Sequence, residues 1–140
     1  MAPPDASPRI ALLLSTFNGA RYLRAQLDSL LAQTHAGWRL IWRDDGSSDS
    51  SVALMEAFAA APGAPECHCV ATSGVHLGPT ASFMALLADA AARDEPIGAV
   101  AFADQDDVWL PEKLARGVAA LFDAPDLPAL YCARQILVDA

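Results

Sequence analysis

Short continuous apolar runs alternate along the chain with stretches in which apolar residues recur every three or four positions. Arg9 to Ser15 reads R-I-A-L-L-L-S, as expected for a strand covered on both faces. After a break at Asn18-Gly19, Leu23, Leu27, Leu30 and Leu31 recur at helical spacing and predict an amphipathic helix ending near Thr34 to Gly37. Trp38 to Arg43 predicts a second strand. Asp44 to Asp49 reads as a turn whose Ser and Asp residues cap a helix from about Ser50 to Ala60, stopped by Pro62-Gly63-Ala64-Pro65. Glu66 to Ala71 predicts a weaker strand, Pro79 to Ala92 a helix opened by proline, and Ile97 to Ala103 a fully apolar strand. Pro111 starts a helix through about Phe122, and Leu127 to Ala133 predicts a last strand, after which Ile136 to Val138 are still apolar.

This alternation is the signature of strand-helix-strand units around a parallel sheet. The expected class is α/β, with about five mostly parallel strands, order 3-2-1-4 through the first four, flanking helices and right-handed crossovers. A length of 140 residues fits one domain, and 54% apolar residues allow a real core. No apolar run approaches the roughly 18 residues of a membrane span. Met1 to Pro8 lacks the basic start and apolar core of a secretory signal, so it reads as a flexible leader and the cytoplasm is the expected compartment, at the inner face of the membrane only through partners. With 9 Lys+Arg against 17 Asp+Glu, the chain is not expected to bind nucleic acid, which is held by neutralising phosphates.

Two acid clusters change the picture. Asp44, Asp45 and Asp49 follow one predicted strand, and Asp104, Asp106 and Asp107 follow another. In a parallel sheet these ends share one edge, where open α/β sheets bind their ligands. Carboxylates crowded together raise one another's pKa, so such a set calls for a cation. All-oxygen ligation suits Mg²⁺ or Mn²⁺, ions that also bind substrate phosphates, and a diphosphate substrate is implied. Each cluster has a plainer reading. D-D-G-S-S-D is also an ordinary turn and helix cap, whereas adjacent acids after a buried strand oppose stability and point to function.

The series S-T-F-N-G (Ser15 to Gly19), L-D-S-L-L-A-Q-T (Leu27 to Thr34), D-D-G-S-S-D (Asp44 to Asp49) and F-A-D-Q-D-D-V-W-L-P-E-K-L (Phe102 to Leu114) resembles glycosyltransferase family 2, and D-Q-D-D-V-W is similar to its rhamnosyltransferase-like branch. The resemblance implies a GT-A fold and inverting transfer, with rhamnosyl as the candidate sugar, from a nucleotide-diphosphate sugar of dTDP or UDP type to a saccharide acceptor, as in polysaccharide biosynthesis. Residues 9–140 would form the nucleotide-sugar-binding part. Thr16 and Phe17 would belong to the base and ribose pocket, with Asp44 accepting a hydrogen bond from a pyrimidine and Asp45 at a more variable position. Asp104 would face the ribose or metal, Asp106 would be the principal ligand of Mg²⁺ or Mn²⁺, and Asp107 and Trp109 would support them. The chain departs from the family where His76-Leu77-Gly78 replaces the usual Asn-x-Gly. Compared with the family, the acceptor site and catalytic base are expected to lie beyond the last strand, so the donor-binding half alone is expected here and the catalytic residue is unassigned.

Other residues invite weaker readings. Cys67-His68-Cys69 alternates across a strand, which favours a core strand over a metal site. Trp38 and Trp42 read as core, while Trp109 adjoins the acids and is the candidate for stacking on a base or sugar. Ser15-Thr16 has no histidine and acid at nucleophile spacing, and His35 lies in a turn expected to be exposed. Asp104 to Val108 also resembles the D-x-D-x-[TV] motif of haloacid dehalogenase-like phosphatases, but that motif belongs on a first strand. No G-x-G-x-x-G follows any strand. A truncated, nonenzymatic nucleotide-binding fragment is the remaining alternative.

Overall fold

The computed structural model describes residues 8–72, 74–123 and 126–138. Four parallel strands, β1 (Ile10–Thr16), β2 (Trp38–Asp44), β3 (Cys67–Cys69) and β4 (Ala99–Asp104), stand in the order β3-β2-β1-β4. Between and after them run α1 (Ala20–Leu31), α2 (Ser51–Ala60), α3 (Pro79–Ala92) and α4 (Lys113–Phe122). The expected α/β class and strand order are found.

The continuous apolar run of β1 is explained by two cores, one on each face of the sheet. Ile10, Leu12 and Leu14 join Leu40 and Trp42 of β2 against Leu23, Leu27 and Leu30 of α1, Met55 of α2 and Leu114 of α4. Ala11, Leu13 and Ile41 point the other way, onto Leu86 and Ala90 of α3. Alternate residues of one strand therefore serve different layers, which is why no polar position interrupts it.

Two expectations are corrected. Leu127 to Ala133 forms no strand: residues 126–138 are irregular, with Leu127 and Leu130 exposed. Pro128 lacks the N–H a ladder needs, and the Tyr131 ring instead abuts Gly117 of α4, 3.3 Å from where a Cβ there would stand. The described residues thus hold four strands rather than about five. The segment Ile97 to Ala103 is not fully covered either. The strand runs Ala99–Asp104 at an edge of the described sheet, with only Ala103 buried and Phe102 half exposed, its ring edge-on to Phe83 of α3 at 5.5 Å.

Of the expected leader, residues 1–7 lie outside the described residues, while Pro8 packs close to Gly98 and its carbonyl lies 3.2 Å from His35 Nε2. His35 is accordingly half-buried rather than exposed. Among the described residues no helix is long and apolar enough to cross a membrane.

Candidate functional site

The carboxyl ends of the strands bring both acid clusters to one edge. In the ladder Thr16 stands opposite Asp44, and Ser15 opposite Asp104, so the end of β1 separates the two groups. The turn after β1 is stitched to the turn after β2. Asn18, in the left-handed region at φ 46°, donates its N–H to Ser47 Oγ and accepts from the Ser48 N–H through Oδ1. Gly19 and Ala20 donate to Ser51 Oγ and Asp49 Oδ2. The expected caps of α2 therefore serve α1 as well: Asp49 accepts from Ser51 N–H at the start of α2 and also satisfies a donor at the start of α1. The Ser51 side chain foremost, and then these backbone bonds, lower the pKa of the Asp49 carboxyl.

Asp44 is saturated by its surroundings. Its Oδ1 accepts from the Thr16 and Ser47 hydroxyls at 2.9 and 2.6 Å, and its Oδ2 from the N–H groups of Gly46 and Ser47. Thr16 is fully buried and acts here by orienting Asp44, whereas Phe17 is 41% exposed and faces out of the turn.

Asp45 is 2% exposed and equally engaged. Oδ1 accepts from Arg43 Nη1 at 2.5 Å and from Leu77 N–H at 2.8 Å. Oδ2 accepts from Gly78 N–H at 2.8 Å and lies 2.9 Å from His76 Nδ1. Burial opposes ionisation, but Arg43 and the two amides outweigh it and lower the carboxyl's pKa. The buried Arg43 is fixed in turn by Ser82 Oγ, which also accepts from Ser15. In this arrangement Asp45 ties the loop before α3 to the sheet.

At the end of β4, Asp104 and Asp106 are exposed and Asp107 is half-buried. Burial raises the Asp104 pKa, and Asp107 and then Asp106 add to it, with Lys113 opposing. Its two acidic neighbours thus oppose the ionisation of Asp104, and a cation beside them would relieve that cost. Among the described residues no group of three or more His, Cys, Asp or Glu forms a ready-made metal cage. Two carboxylates with open positions fit Mg²⁺ or Mn²⁺, which retain waters and share ligands with substrate phosphates.

Residues that the sequence reading passed over hold this acid loop in place. Gln105, between the two candidate ligands, accepts the Phe17 N–H at 2.9 Å and donates to the Phe17 carbonyl at 2.9 Å. From α1, Gln26 donates to the Asp104 carbonyl, and Ser29 accepts the Trp109 N–H. Gln33, just past the helix, donates to the Leu110 carbonyl and accepts the Leu114 N–H. Their signal was present in the polar positions 26, 29 and 33 beside the leucines, three and four residues apart. Trp109 is 4% exposed within the core, with Lys113 Nζ 4.4 Å from its ring centroid, so it braces the loop from beneath and offers no free face for stacking. Trp42 is buried and Trp38 packs on the same core. Cys67 packs there too, its thiol pushed up to about 11 by burial, while His68 and Cys69 lie on an edge strand rather than in the core.

Comparison with known proteins gives a consistent result. The pattern of "Glycosyl transferase family 2" matches residues 12–135. An uncharacterized glycosyltransferase of Nostoc sp. is 36% identical over 120 residues, covering 85% of this chain and 34% of that relative. A putative glycosyltransferase, EpsE of Bacillus subtilis, is 29% identical over 56 residues, 40% of this chain and 20% of the relative. Among solved structures, the mannosyltransferase PcManGT from Pyrobaculum calidifontis, in complex with GDP-Man and Mn²⁺, superposes with a TM-score of 0.76 at 20% identity over 94% of this chain and 37% of that one. TarS of S. aureus, in complex with UDP-GlcNAc, gives 0.68 at 21% over 82% and 31%. The chain spans about a third of the length of the first of these relatives, and the structural likenesses establish the fold.

Proposed function

The chain belongs to glycosyl transferase family 2, and on that premise we propose that its acidic edge binds the nucleotide-diphosphate sugar donor of an inverting glycosyl transfer, together with Mg²⁺ or Mn²⁺. The donor is of UDP or dTDP type, rhamnosyl being the sugar suggested by D-Q-D-D-V-W, and the acceptor is a saccharide. The observation that carries this reading is the ladder register, which sets Asp44 and Asp104 on either side of the end of β1. A base and a diphosphate of one nucleotide can then be met by different strands. Complexes of PcManGT with GDP-Man and Mn²⁺ and of TarS with UDP-GlcNAc support it by analogy of fold. Residues 9–140 constitute the nucleotide-sugar-binding part.

In this reading Asp106 and Asp104 would hold the cation, with Asp107 supporting them, and a cation held there would supply Lewis-acid neutralisation of charge on the leaving diphosphate. Phe17 lines the nucleoside pocket. A pyrimidine N–H that reaches Asp44 takes the place of the Thr16 or Ser47 hydroxyl, either of which can rotate away. Asp45 contributes through the loop it anchors.

Titration calorimetry of UDP and dTDP against the chain, with Mn²⁺ and with EDTA, tests the proposal. Binding that requires the metal is expected, and equal affinity in EDTA would refute the cation's role.

A further inference from the structure

The chain contains a single lysine, Lys113, and the fold puts it where helix electrostatics does not favour it. It is the first residue of α4, and the N-terminus of a helix carries a partial positive charge that opposes a cation. Glu112 beside it does not answer the charge, being paired with Arg116 one turn on. The position is nevertheless fixed from two sides. The Lys113 N–H donates to the Leu110 carbonyl at 3.0 Å, and Gln33 grips the Leu110 carbonyl and the Leu114 N–H on either side of it.

The side chain is held as well. It is half-buried and lies over Trp109, the ammonium 4.4 Å from the ring centroid, a placement that the ring's quadrupole favours. Trp109 is itself 4% exposed and tied to α1 through Ser29. An untethered lysine would project into water. This one is folded back onto the residue that braces the loop of Asp104, Asp106 and Asp107, and its charge is felt at Asp104, where it works against the two acidic neighbours. The acid loop therefore keeps one fixed positive charge of its own.

We propose that Lys113 is a specificity-determining residue of the acid loop, its ammonium opposing a bare divalent cation there and favouring one that arrives with a diphosphate. This rests on the donor-binding reading given above and adds to it the form in which the cation is taken up. A fixed unit charge repels Mg²⁺ or Mn²⁺ alone, whereas the complex of the same ion with a nucleoside diphosphate is anionic and is attracted. The loop thereby prefers the metal with its nucleotide to the metal without it.

The test is calorimetry with Mn²⁺ alone and with the preformed complex of Mn²⁺ and UDP, on the 140-residue chain and on Lys113→Met, Lys113→Arg and Lys113→Glu. Methionine keeps an apolar stem over Trp109 and removes the charge. It is expected to tighten Mn²⁺ and to weaken the Mn²⁺–UDP complex, each by about threefold, and both changes shrink as added salt screens the charge. The glutamate variant moves both affinities further in the same directions, and the arginine variant stays near the parent. Because Lys113 is the only lysine, labelling lysine with ¹³C at Cε gives one side-chain signal, which substoichiometric Mn²⁺ should broaden. Mn²⁺ affinity of the methionine variant equal to the parent's would overturn the assignment. So would a shift of both ligands in one direction, as a loosened loop gives, or a lysine signal that saturating Mn²⁺ leaves sharp. If the parent chain does not bind the Mn²⁺–UDP complex, the donor-binding reading falls and takes this one with it, an outcome distinct from parent-like binding by the variants.

Discussion

Gln105 and Phe17 are joined as if they were paired strand residues, the side-chain amide of one bonding to the backbone N–H and C=O of the other at 2.9 Å each way. The regular ladder between β1 and β4 stops at Ser15 and Asp104, and the glutamine continues it by one further step. The turn expected to meet the nucleoside and the loop expected to hold the cation thereby move as one body. Gln105→Ala is expected to cost about 1–3 kcal/mol for two hydrogen bonds, read from the denaturant midpoint. Nucleotide affinity should fall further than the loss of stability alone explains.

Gly19 is bound up with the same clamp. A Cβ placed there would stand 2.0 Å from Gln105 Oε1, an overlap relieved only by swinging the glutamine away. Gly19→Ala should therefore reproduce much of the Gln105→Ala phenotype. The double variant should lose much less than the sum of the two, because the second change has no clamp left to break. Strict additivity in a double-mutant cycle would show that Gly19→Ala acts by some route other than the clamp.

Asp106→Asn is expected to remove the metal dependence of nucleotide binding at a cost of about 1.5–3 kcal/mol, the range for one charge-assisted contact. Asp44→Ala should weaken nucleosides and nucleotides together and leave Mn²⁺ affinity intact. Calorimetry on both variants separates the two halves of the site, and a loss of Mn²⁺ binding in Asp44→Ala would contradict the separation.

The ion pair of Arg43 with Asp45 is buried on both sides, at 4% and 2% exposure. Asp45→Ala leaves a guanidinium without its partner and is expected to cost about 3–5 kcal/mol. Asp45 and Asp49 both have lowered pKa values in the fold, so the stability they contribute is fully present above the ordinary carboxylate range. It is lost as pH falls below about 4 and the native carboxylates are forced to take up protons. Unfolding midpoints measured across that range should show a decline that is shallower in Asp49→Asn.

What could be read in the sequence was whatever depends on period and order. The run Ile10 to Leu14 announced a central strand, the leucines of α1 its buried stripe, and the acids at two strand ends a shared edge. What could not be read was pairing between distant polar groups. Arg39 and Arg43 interrupt β2 as if they faced solvent, yet both are buried, the first paired with Glu66 and Glu95 and the second with Asp45. Pattern gives a side chain's face but not the partner waiting there. The extra strand expected at Leu127 to Ala133 failed for the same reason, since an apolar run becomes a strand only where an edge receives it.

The bonds that shape the crevice join residues far apart along the chain. Thr16 and Asp44 are separated by 28 positions, His76 and Asp45 by 31, and Gln105 and Phe17 by 88. Closing such loops is entropically unfavourable until the sheet between them exists, so contacts of this separation form late during folding. Binding competence should accordingly appear only in the final kinetic phase of refolding, after helical signal has returned, making a fluorescent nucleotide a reporter of the moment at which β4 docks beside β1.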